Sequence, residues 1–143
     1  MSNGASCGDR GSIPLGSTVY NAPLNNINMS DIQKLTEKIK KFRDDRDWKQ
    51  FHNPKDVALS LVLEATEVLE HFQWKSPKEI EEYIKTNKGD IAEELADVLH
   101  WVLLMSHDLG IDIGPALEKK LKKNEAKYPV EKARGKNTKY TKL

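Results

Sequence analysis

The chain has little cysteine, and its apolar runs are short. Its single cysteine, Cys7, excludes an internal disulfide framework and a zinc site built from cysteines. No apolar run approaches the length that a membrane-spanning helix needs. The first residues lack the basic-then-apolar pattern of a secretory signal, which favours the cytoplasm. The sequence also lacks a glycine-rich phosphate loop and any strand-like alternation of apolar and polar residues, so an all-α bundle is expected.

The glycines are unevenly distributed. Gly4, Gly8, Gly11 and Gly16 are half of the 8 glycines, and they lie among many serines and asparagines. No hydrophobic period is visible there, so residues 1–28 are predicted to be a flexible N-terminal arm or a non-native leader left by cloning. We expect one helical domain over residues 29–128 and a basic tail over residues 129–143.

Capping residues mark the starts of the predicted helices. Ser30 with Gln33 and Ser76 with Glu79 have the spacing of capping boxes, and Asn53 before Pro54 is a typical N-cap. These signals predict helices from Ser30 to near Arg46, from Pro54 to about Phe72, and from Ser76 to about Lys85. The second of these helices is apolar nearly all round in its first half, so we expect it to be central.

A long helix is predicted from Asp90 to Leu109, after a turn at Thr86–Gly89 and before Gly110. Its regularly spaced apolar residues form a heptad seam, made of Ile91, Leu95, Val98, Val102, Met105 and Leu109. Trp101 and Leu104 lie off this seam, so we expect a second buried face and hence contact between subunits. A last helix should follow Asp112 as its cap, with Leu117 and Leu121 as apolar anchors, and end before Pro129.

Two pairs of acids intrude on apolar helix faces. Glu64 lies about 20° from Val57 around the second helix, and Glu67 follows three residues later. Glu94 lies about 40° from Val98 on the long helix, and Asp97 again follows three residues later. A buried carboxylate without a partner destabilises the folded protein by about 3–5 kcal/mol. A cation or strong hydrogen-bond donors can compensate this cost. Four carboxylates aimed at one point would suit a hard divalent cation, whereas the alternative is a set of solvated surface acids.

Charge is segregated along the chain. Residues 56–118 carry 4 basic and 14 acidic side chains, a balance of −10, whereas residues 119–143 carry 10 basic and 2 acidic ones, a balance of +8. This asymmetry suits a metal site facing a phosphate clamp, or else an acidic surface followed by a solvated basic tail. The loop from Arg46 to Pro54 is also unusual, because Trp48, Phe51 and His52 crowd it. These side chains either stack on a nucleobase or close the end of the bundle.

Further motifs stand in order along residues 30–142. They are the loop RDWKQFHNP, the helix end EVLEHFQWK, the segment EELADVL, Asn124 with Tyr128 and Pro129, and the run Lys139, Tyr140 and Thr141. Together with the two acid pairs, they resemble MazG-like all-α nucleotide pyrophosphohydrolases, and most closely their dCTP pyrophosphatase branch. The resemblance implies a bundle of four to five helices that assembles as a dimer or a dimer of dimers.

The resemblance also implies a reaction. Glu64, Glu67, Glu94 and Asp97 would be the catalytic residues and would hold Mg²⁺, or Mn²⁺ in its place. A nucleoside triphosphate would be cleaved between its α and β phosphates to a monophosphate and pyrophosphate. One of the glutamates, or Glu70, would orient the attacking water.

The same resemblance assigns the substrate contacts. Trp48, His52 and Trp74 would bind the base of a pyrimidine deoxynucleotide, dCTP or a modified dCTP, in nucleotide-pool cleansing. The phosphates would contact residues of the last helix and of the basic tail, which would close over them. These residues are Lys120, Asn124, Lys127, Tyr128, Arg134, Lys139 and Tyr140.

Other functions remain open from the residues alone. The reaction could have a broad or purine preference, or the chain could be a non-enzymatic helical interaction module. A nucleic-acid binder is disfavoured because the acidic middle segment would repel a long polyanion. We therefore expect neither a nucleic acid polymer nor a membrane as partner. We expect His71, His100 and His107 to be packing residues, although His71 shares the line of Glu67, and Trp101 to lie in the core or an interface.

Overall fold

The computed structural model of the protein describes residues 29–142. The predicted N-terminal arm, with Cys7, lies outside the described residues. Every regular element within 29–142 is helical, which confirms the all-α prediction. The helices are α1 (Asp31–Asp44), α2 (Pro54–Glu70), α3 (Pro77–Thr86), α4 (Lys88–Asp108), α5 (Ile113–Lys127) and the short α6 (Val130–Ala133). Trp48–Phe51 and Tyr140–Lys142 are 3₁₀ turns, and no helix of the described part is long and apolar enough to cross a membrane.

The predicted N-caps are present. The Ser30 hydroxyl accepts a hydrogen bond from the backbone N–H of Gln33, whose side chain accepts one from the Ser30 N–H in return. Ser76 and Glu79 form the same box at the start of α3, and the Asn53 side chain accepts from the first turn of α2. Each cap contributes about 1 kcal/mol. These caps therefore fix where α1, α2 and α3 begin.

Two local predictions are wrong in detail. The expected turn at Thr86–Gly89 is reduced to Asn87 alone, because the Asn87 N–H donates to the Tyr83 carbonyl and closes α3. The Asn87 carbonyl in turn accepts from the N–H of Ile91 and opens α4. Asp112 occupies the N-cap position of α5, but its side chain makes no capping hydrogen bond.

Helix α4 is the element against which both α1 and α2 pack. Within residues 29–142, the buried hydrophobic residues are Val57 of α2 with Leu103 and Leu104 of α4. The buried Leu104 agrees with the second face predicted for α4. Two positions of the heptad seam, Leu95 and Leu109, are about half exposed, because the closest packing is centred on Leu103 and Leu104.

Much apolar surface stays uncovered in the single chain. Helix α2 packs on α4 as expected, but the opposite face of its first half carries exposed Leu59, Val62 and Leu63. The predicted anchors of α5, Leu117 and Leu121, are also exposed, because α5 makes no extensive packing with the other described helices.

A buried ion pair joins the ends of α1 and α4. The Arg43 side chain is 1% exposed, and its Nη1 donates to both carboxylate oxygens of Asp108 at 2.7 and 2.9 Å. Its Nε donates to Asp44 at 2.9 Å. The ion pair thus holds the C-terminal end of α1, and the Trp48 turn that follows it, against α4.

Candidate active site

Three of the four predicted acids converge between α2 and α4. Carboxylate oxygens of Glu64, Glu94 and Asp97 all lie within 4.8 Å of one another. Glu64 and Glu94 are half-buried, whereas Asp97 is exposed. Glu67 is not within this triad, but it borders Glu94 in a neighbouring cleft. The sequence predicts that all four acids meet at one point. In the structure, three of them form the triad and Glu67 lies beside it.

The surroundings of Glu94 disfavour its charged form. Partial burial raises the pKa of Glu94, and the adjacent Glu67 carboxylate raises it further, with smaller effects from Asp97 and Glu64. Trp101 Nε1 donates to Glu64 at 3.3 Å and orients that carboxylate. An all-oxygen set of this kind fits a hard divalent cation, which would relieve the mutual repulsion of the acids.

An aromatic cleft of about 180 Å³ opens beside the triad. Its walls come from α1, the Trp48 turn, α2 and α4, and they are formed by Phe42, Arg43, Trp48, His52, Glu64, Asp97, His100 and Trp101. Two predicted base-binding residues, Trp48 and His52, therefore share one cleft with two of the acids. Burial lowers the pKa of His100, which keeps a neutral imidazole in this cleft near pH 7.

His52 has unused hydrogen-bonding capacity in this region. Its ring lies 5.5 Å from the Trp101 indole, centroid to centroid. Its Nδ1 is buried and finds no hydrogen-bond partner among residues 29–142. A buried polar atom without a partner costs about 1–3 kcal/mol, so this nitrogen lowers the stability of the loop before α2.

A second cleft, of about 270 Å³, lies on the other side of Glu94. It is lined by Glu67, Glu70, His71, Tyr83 and Glu94. His71 Nδ1 and the Tyr83 hydroxyl are 2.8 Å apart and hydrogen-bonded. The acids thus form a line along the α2–α4 groove, with the aromatic cleft at one end and the His71–Tyr83 pair at the other.

Trp74, the third predicted base-binding residue, lies apart from the other two. Helix α2 separates it from His52, and 17 helical residues span about 25 Å. The Trp74 side chain is 93% exposed, and its backbone has φ of 64°, in the left-handed region that bulky residues avoid. A single chain does not bring Trp74 to the aromatic cleft.

The predicted phosphate-binding residues are only partly gathered. Lys127 Nζ lies 4.9 Å from the centroid of the Tyr140 ring, and that ring packs edge-on against Tyr128 at 5.8 Å. The end of α5 and the tail therefore meet at Tyr140. None of the seven residues lines either cleft along the acidic groove within the described chain.

Several residues that line the two clefts were not predicted as site residues. His100 and Trp101 follow Asp97 by three and four positions on α4, so helical spacing alone could have placed them beside it. Phe42, Arg43 and Tyr83 come from other helices, and no local signal connects them to the acids.

Comparison with known proteins identifies the family and the fold of this chain. A family model described as MazG-like matches residues 59–143. The chain is 36% identical to mouse dCTP pyrophosphatase 1 and 34% identical to the human protein over 117 residues, which is 80% of this chain and 67% of each relative. The crystal structure of a pyrophosphatase from Archaeoglobus fulgidus superimposes with a TM-score of 0.67 at 38% identity, covering 71% of this chain and 94% of the other.

The match therefore extends over sequence, fold and the segment that carries the acids. It includes α2 from Leu59 onward and all of α4, which together hold the carboxylate triad. The chain belongs to the MazG-like family, close to its dCTP pyrophosphatases, and is a nucleotide pyrophosphohydrolase.

Proposed function

We propose that this pyrophosphohydrolase uses Mg²⁺ to hydrolyse a deoxynucleoside triphosphate, dCTP or a modified dCTP, to the monophosphate and pyrophosphate. The observation that carries the proposal is the convergence of Glu64, Glu94 and Asp97 within 4.8 Å, next to a cleft that contains Trp48 and His52. Metal-binding oxygens and base-stacking rings are thus adjacent, as a nucleotide requires. Such an activity would cleanse the nucleotide pool.

The metal would be held by Glu64, Glu94 and Asp97, with Glu67 completing the set from beside Glu94. Carboxylates without cysteine or histidine suit Mg²⁺, which keeps several waters and shares phosphate oxygens, and Mn²⁺ would substitute. When bound, the cation supplies charge neutralisation for the phosphates and acidifies water. Burial and the neighbouring carboxylates raise the pKa of Glu94, and this supports the assignment, because a bound cation would stabilise the charged form against both effects.

The protein's own groups would position the reactants. Water oxygen attacks the α phosphorus, the bond from that phosphorus to the α–β bridging oxygen breaks, and pyrophosphate leaves. Glu67 and Glu70 both line the cleft next to Glu94, so either could orient the water and accept its proton. Trp101 holds Glu64 by its hydrogen bond and so would fix one wall of the metal site.

The base would enter the aromatic cleft. Trp48 offers a ring for stacking, and His52, which lines the same cleft, would contact the base beside it. The named activity of the mouse and human relatives supports dCTP. Because Trp74 lies beyond the far end of α2, it would reach this cleft from a second copy of the chain.

The proposed assembly is a dimer or a dimer of dimers. Exposed apolar side chains on α2 (Leu59, Val62 and Leu69) and on α4 (Leu95 and Leu99) support it, because such faces mark association surfaces. A second copy could also bring the basic tail over the phosphates. The residues that contact the phosphates would then be Lys120, Asn124, Lys127 and Tyr128 on α5 and its C-cap, and Arg134, Lys139 and Tyr140 in the tail.

The test is pyrophosphate release from a panel of dNTPs and NTPs, each with Mg²⁺ and with EDTA. We expect release only with Mg²⁺, fastest with dCTP or a 5-substituted dCTP. Asp97→Asn should lower kcat/KM at least about 100-fold, because it removes an anionic metal ligand. Glu93→Gln is the matched control, since Glu93 is exposed on the same helix and outside the triad.

Each outcome bears on a separate part of the proposal. A preference for purine nucleotides would be compatible with the proposed metal site but would contradict the proposed cytosine base. Pyrophosphate release that continues in EDTA would contradict the proposed metal site. An equal loss of kcat/KM in Asp97→Asn and Glu93→Gln would contradict it as well.

A further inference from the structure

The cleft beyond Glu94 contains two hydrogen-bond donors that the proposed chemistry leaves without a role. His71, at the C-terminal end of α2, is half-buried, and its Nδ1 lies 2.8 Å from the hydroxyl of Tyr83 on α3. Lys75 adds a cation nearby, with its Nζ 4.4 Å from the centroid of the Tyr83 ring. The relevant feature is therefore a donor-bearing cluster at one end of a line of acids.

Hydrogen-bond accounting shows that this cluster can serve a ligand. A neutral imidazole and a phenol carry two polar hydrogens between them, and their mutual bond uses one of these. Whichever tautomer His71 adopts, one N–H or O–H of the pair is left over. The other side chains that line the cleft, Glu67, Glu70 and Glu94, only accept hydrogen bonds when ionised. A ligand made of acceptor oxygens could therefore contact the cleft directly only through His71 and Tyr83.

The position of the pair along α2 identifies which part of the substrate would reach it. His52 and the aromatic cleft precede the helix, Glu64 lies in its middle, and His71 comes seven residues, or about 10 Å, after Glu64. A nucleotide whose base lies in the aromatic cleft and whose α phosphate lies at the triad would direct its β and γ phosphates toward His71. This step rests on the base and metal positions of the proposed function.

We propose that His71, held by Tyr83 and flanked by Lys75, forms the subsite for the terminal phosphates, which leave as pyrophosphate. The pair would donate one hydrogen bond to a phosphate oxygen, and the Lys75 ammonium would add attraction to the same charge. The subsite would make the enzyme select triphosphates over diphosphates. A diphosphate whose α phosphate lies at the triad has no γ phosphate, so it would leave part of the subsite empty.

The experiment is a titration of wild-type protein and variants with pyrophosphate at saturating Mg²⁺ by calorimetry, with a parallel titration by dCMP. His71→Phe keeps a ring and removes both nitrogens, and Tyr83→Phe removes only the hydroxyl. We expect pyrophosphate affinity to fall about 10- to 100-fold in His71→Phe and about 3- to 10-fold in Tyr83→Phe, with dCMP affinity unchanged. His107→Phe is the control, since His107 is exposed on α4 and lines neither cleft of the groove.

Kinetics supply a second measurement that does not depend on the preferred base. The ratio of kcat/KM for a triphosphate to that for its diphosphate should fall in both variants and stay constant in the control. Equal losses for both substrates would mean a purely structural role and would overturn the subsite. Weaker Mg²⁺ binding with unchanged pyrophosphate affinity would also overturn it, in favour of a cation site. Failure of the proposed function would appear differently, as absent pyrophosphate release in the wild type itself.

Discussion

Glu94 is the most constrained of the acids, because it has carboxylates on both sides. Glu67 lies toward the second cleft, and Glu64 and Asp97 complete the triad on the other side. Its raised pKa means that the folded protein binds a proton more readily than the unfolded chain does. The associated stability is complete below the usual value of 4.5 and is lost as the pH rises through the folded pKa. Metal-free protein therefore carries an electrostatic cost at neutral pH.

Replacing Glu94 with glutamine should remove this cost. Without metal, Glu94→Gln should melt at a higher temperature than the wild type at pH 7, and the difference should shrink as the pH falls toward 4.5. Adding Mg²⁺ should raise the melting temperature of the wild type more than that of the variant. Differential scanning calorimetry with and without EDTA measures both effects. Glu93→Gln should follow the wild type throughout, and a destabilised Glu94→Gln in EDTA at pH 7 would contradict the argument.

Trp74 combines a strained backbone with a fully exposed indole. A left-handed conformation costs a bulky residue about 1–2 kcal/mol, and an exposed side chain returns little packing energy. We expect Trp74→Gly to be more stable than Trp74→Ala by about 1 kcal/mol, since only glycine adopts this conformation freely. Both variants should raise KM about 5- to 100-fold through lost base stacking. Equal stability of the two variants in denaturant titrations would show that the backbone is unstrained.

The spacing of the acids made the triad predictable, whereas the cleft residues needed the fold. Glu64 and Glu94 each interrupt an apolar stripe, and that irregularity is visible along one helix at a time. His71 and Tyr83 are 12 residues apart on different helices, so nothing in either segment signals their hydrogen bond. Arg43 is similarly paired across 65 residues with Asp108.

The ends of α1 and α4 depend on each other through that buried ion pair. Arg43→Met should destabilise the protein by about 2–4 kcal/mol, because Asp108 is largely shielded from solvent and would lose its partner. The double variant Arg43→Met with Asp108→Leu should recover much of the loss, since no charge is then left unpaired. Urea denaturation of the single and double variants tests this coupling. A double variant as unstable as the sum of both single variants would show that the two residues act independently.

Helix starts were more predictable than helix packing. Each cap residue, Ser30, Asn53 or Ser76, accepts hydrogen bonds from backbone N–H groups two or three positions away. The local sequence is therefore sufficient to specify where these helices begin. The α3–α4 junction was misjudged because Asn87 alone closes one helix and opens the next. The exposure of Leu95 and Leu109 in the α4 seam could not be anticipated either, because heptad spacing does not say which partner covers each position.

The molecule has a small core for its size. Three hydrophobic residues are buried within residues 29–142, while apolar faces of α2 and α4 remain in water. If a second copy covers these faces and supplies Trp74, two impaired variants should complement each other. Trp74→Ala retains the acids, and Glu64→Gln retains the tryptophan, so a mixed dimer would contain one intact site.

At substrate concentrations well below KM, refolding the two variants together should therefore give more activity than the sum of the two variants refolded separately. Mixing after refolding, without subunit exchange, is the control. The absence of recovery in a mixture that is dimeric by light scattering would place Trp74 outside the site of the neighbouring chain. A Val62→Glu variant should lower the oligomeric state, because it puts a charge on the exposed apolar face of α2.

If a second copy covers α2, the exposed face of this helix also ties the output of the enzyme to its abundance. An isolated chain keeps Leu59, Val62 and Leu63 about half exposed. Folding and the proposed association would then contribute to one equilibrium, and the folded fraction would follow mass action. Turnover per chain would then decline on dilution. In a cell, the total rate of nucleotide hydrolysis would fall more steeply than the number of protein copies. Below a certain expression level, the enzyme would no longer control the nucleotide pool.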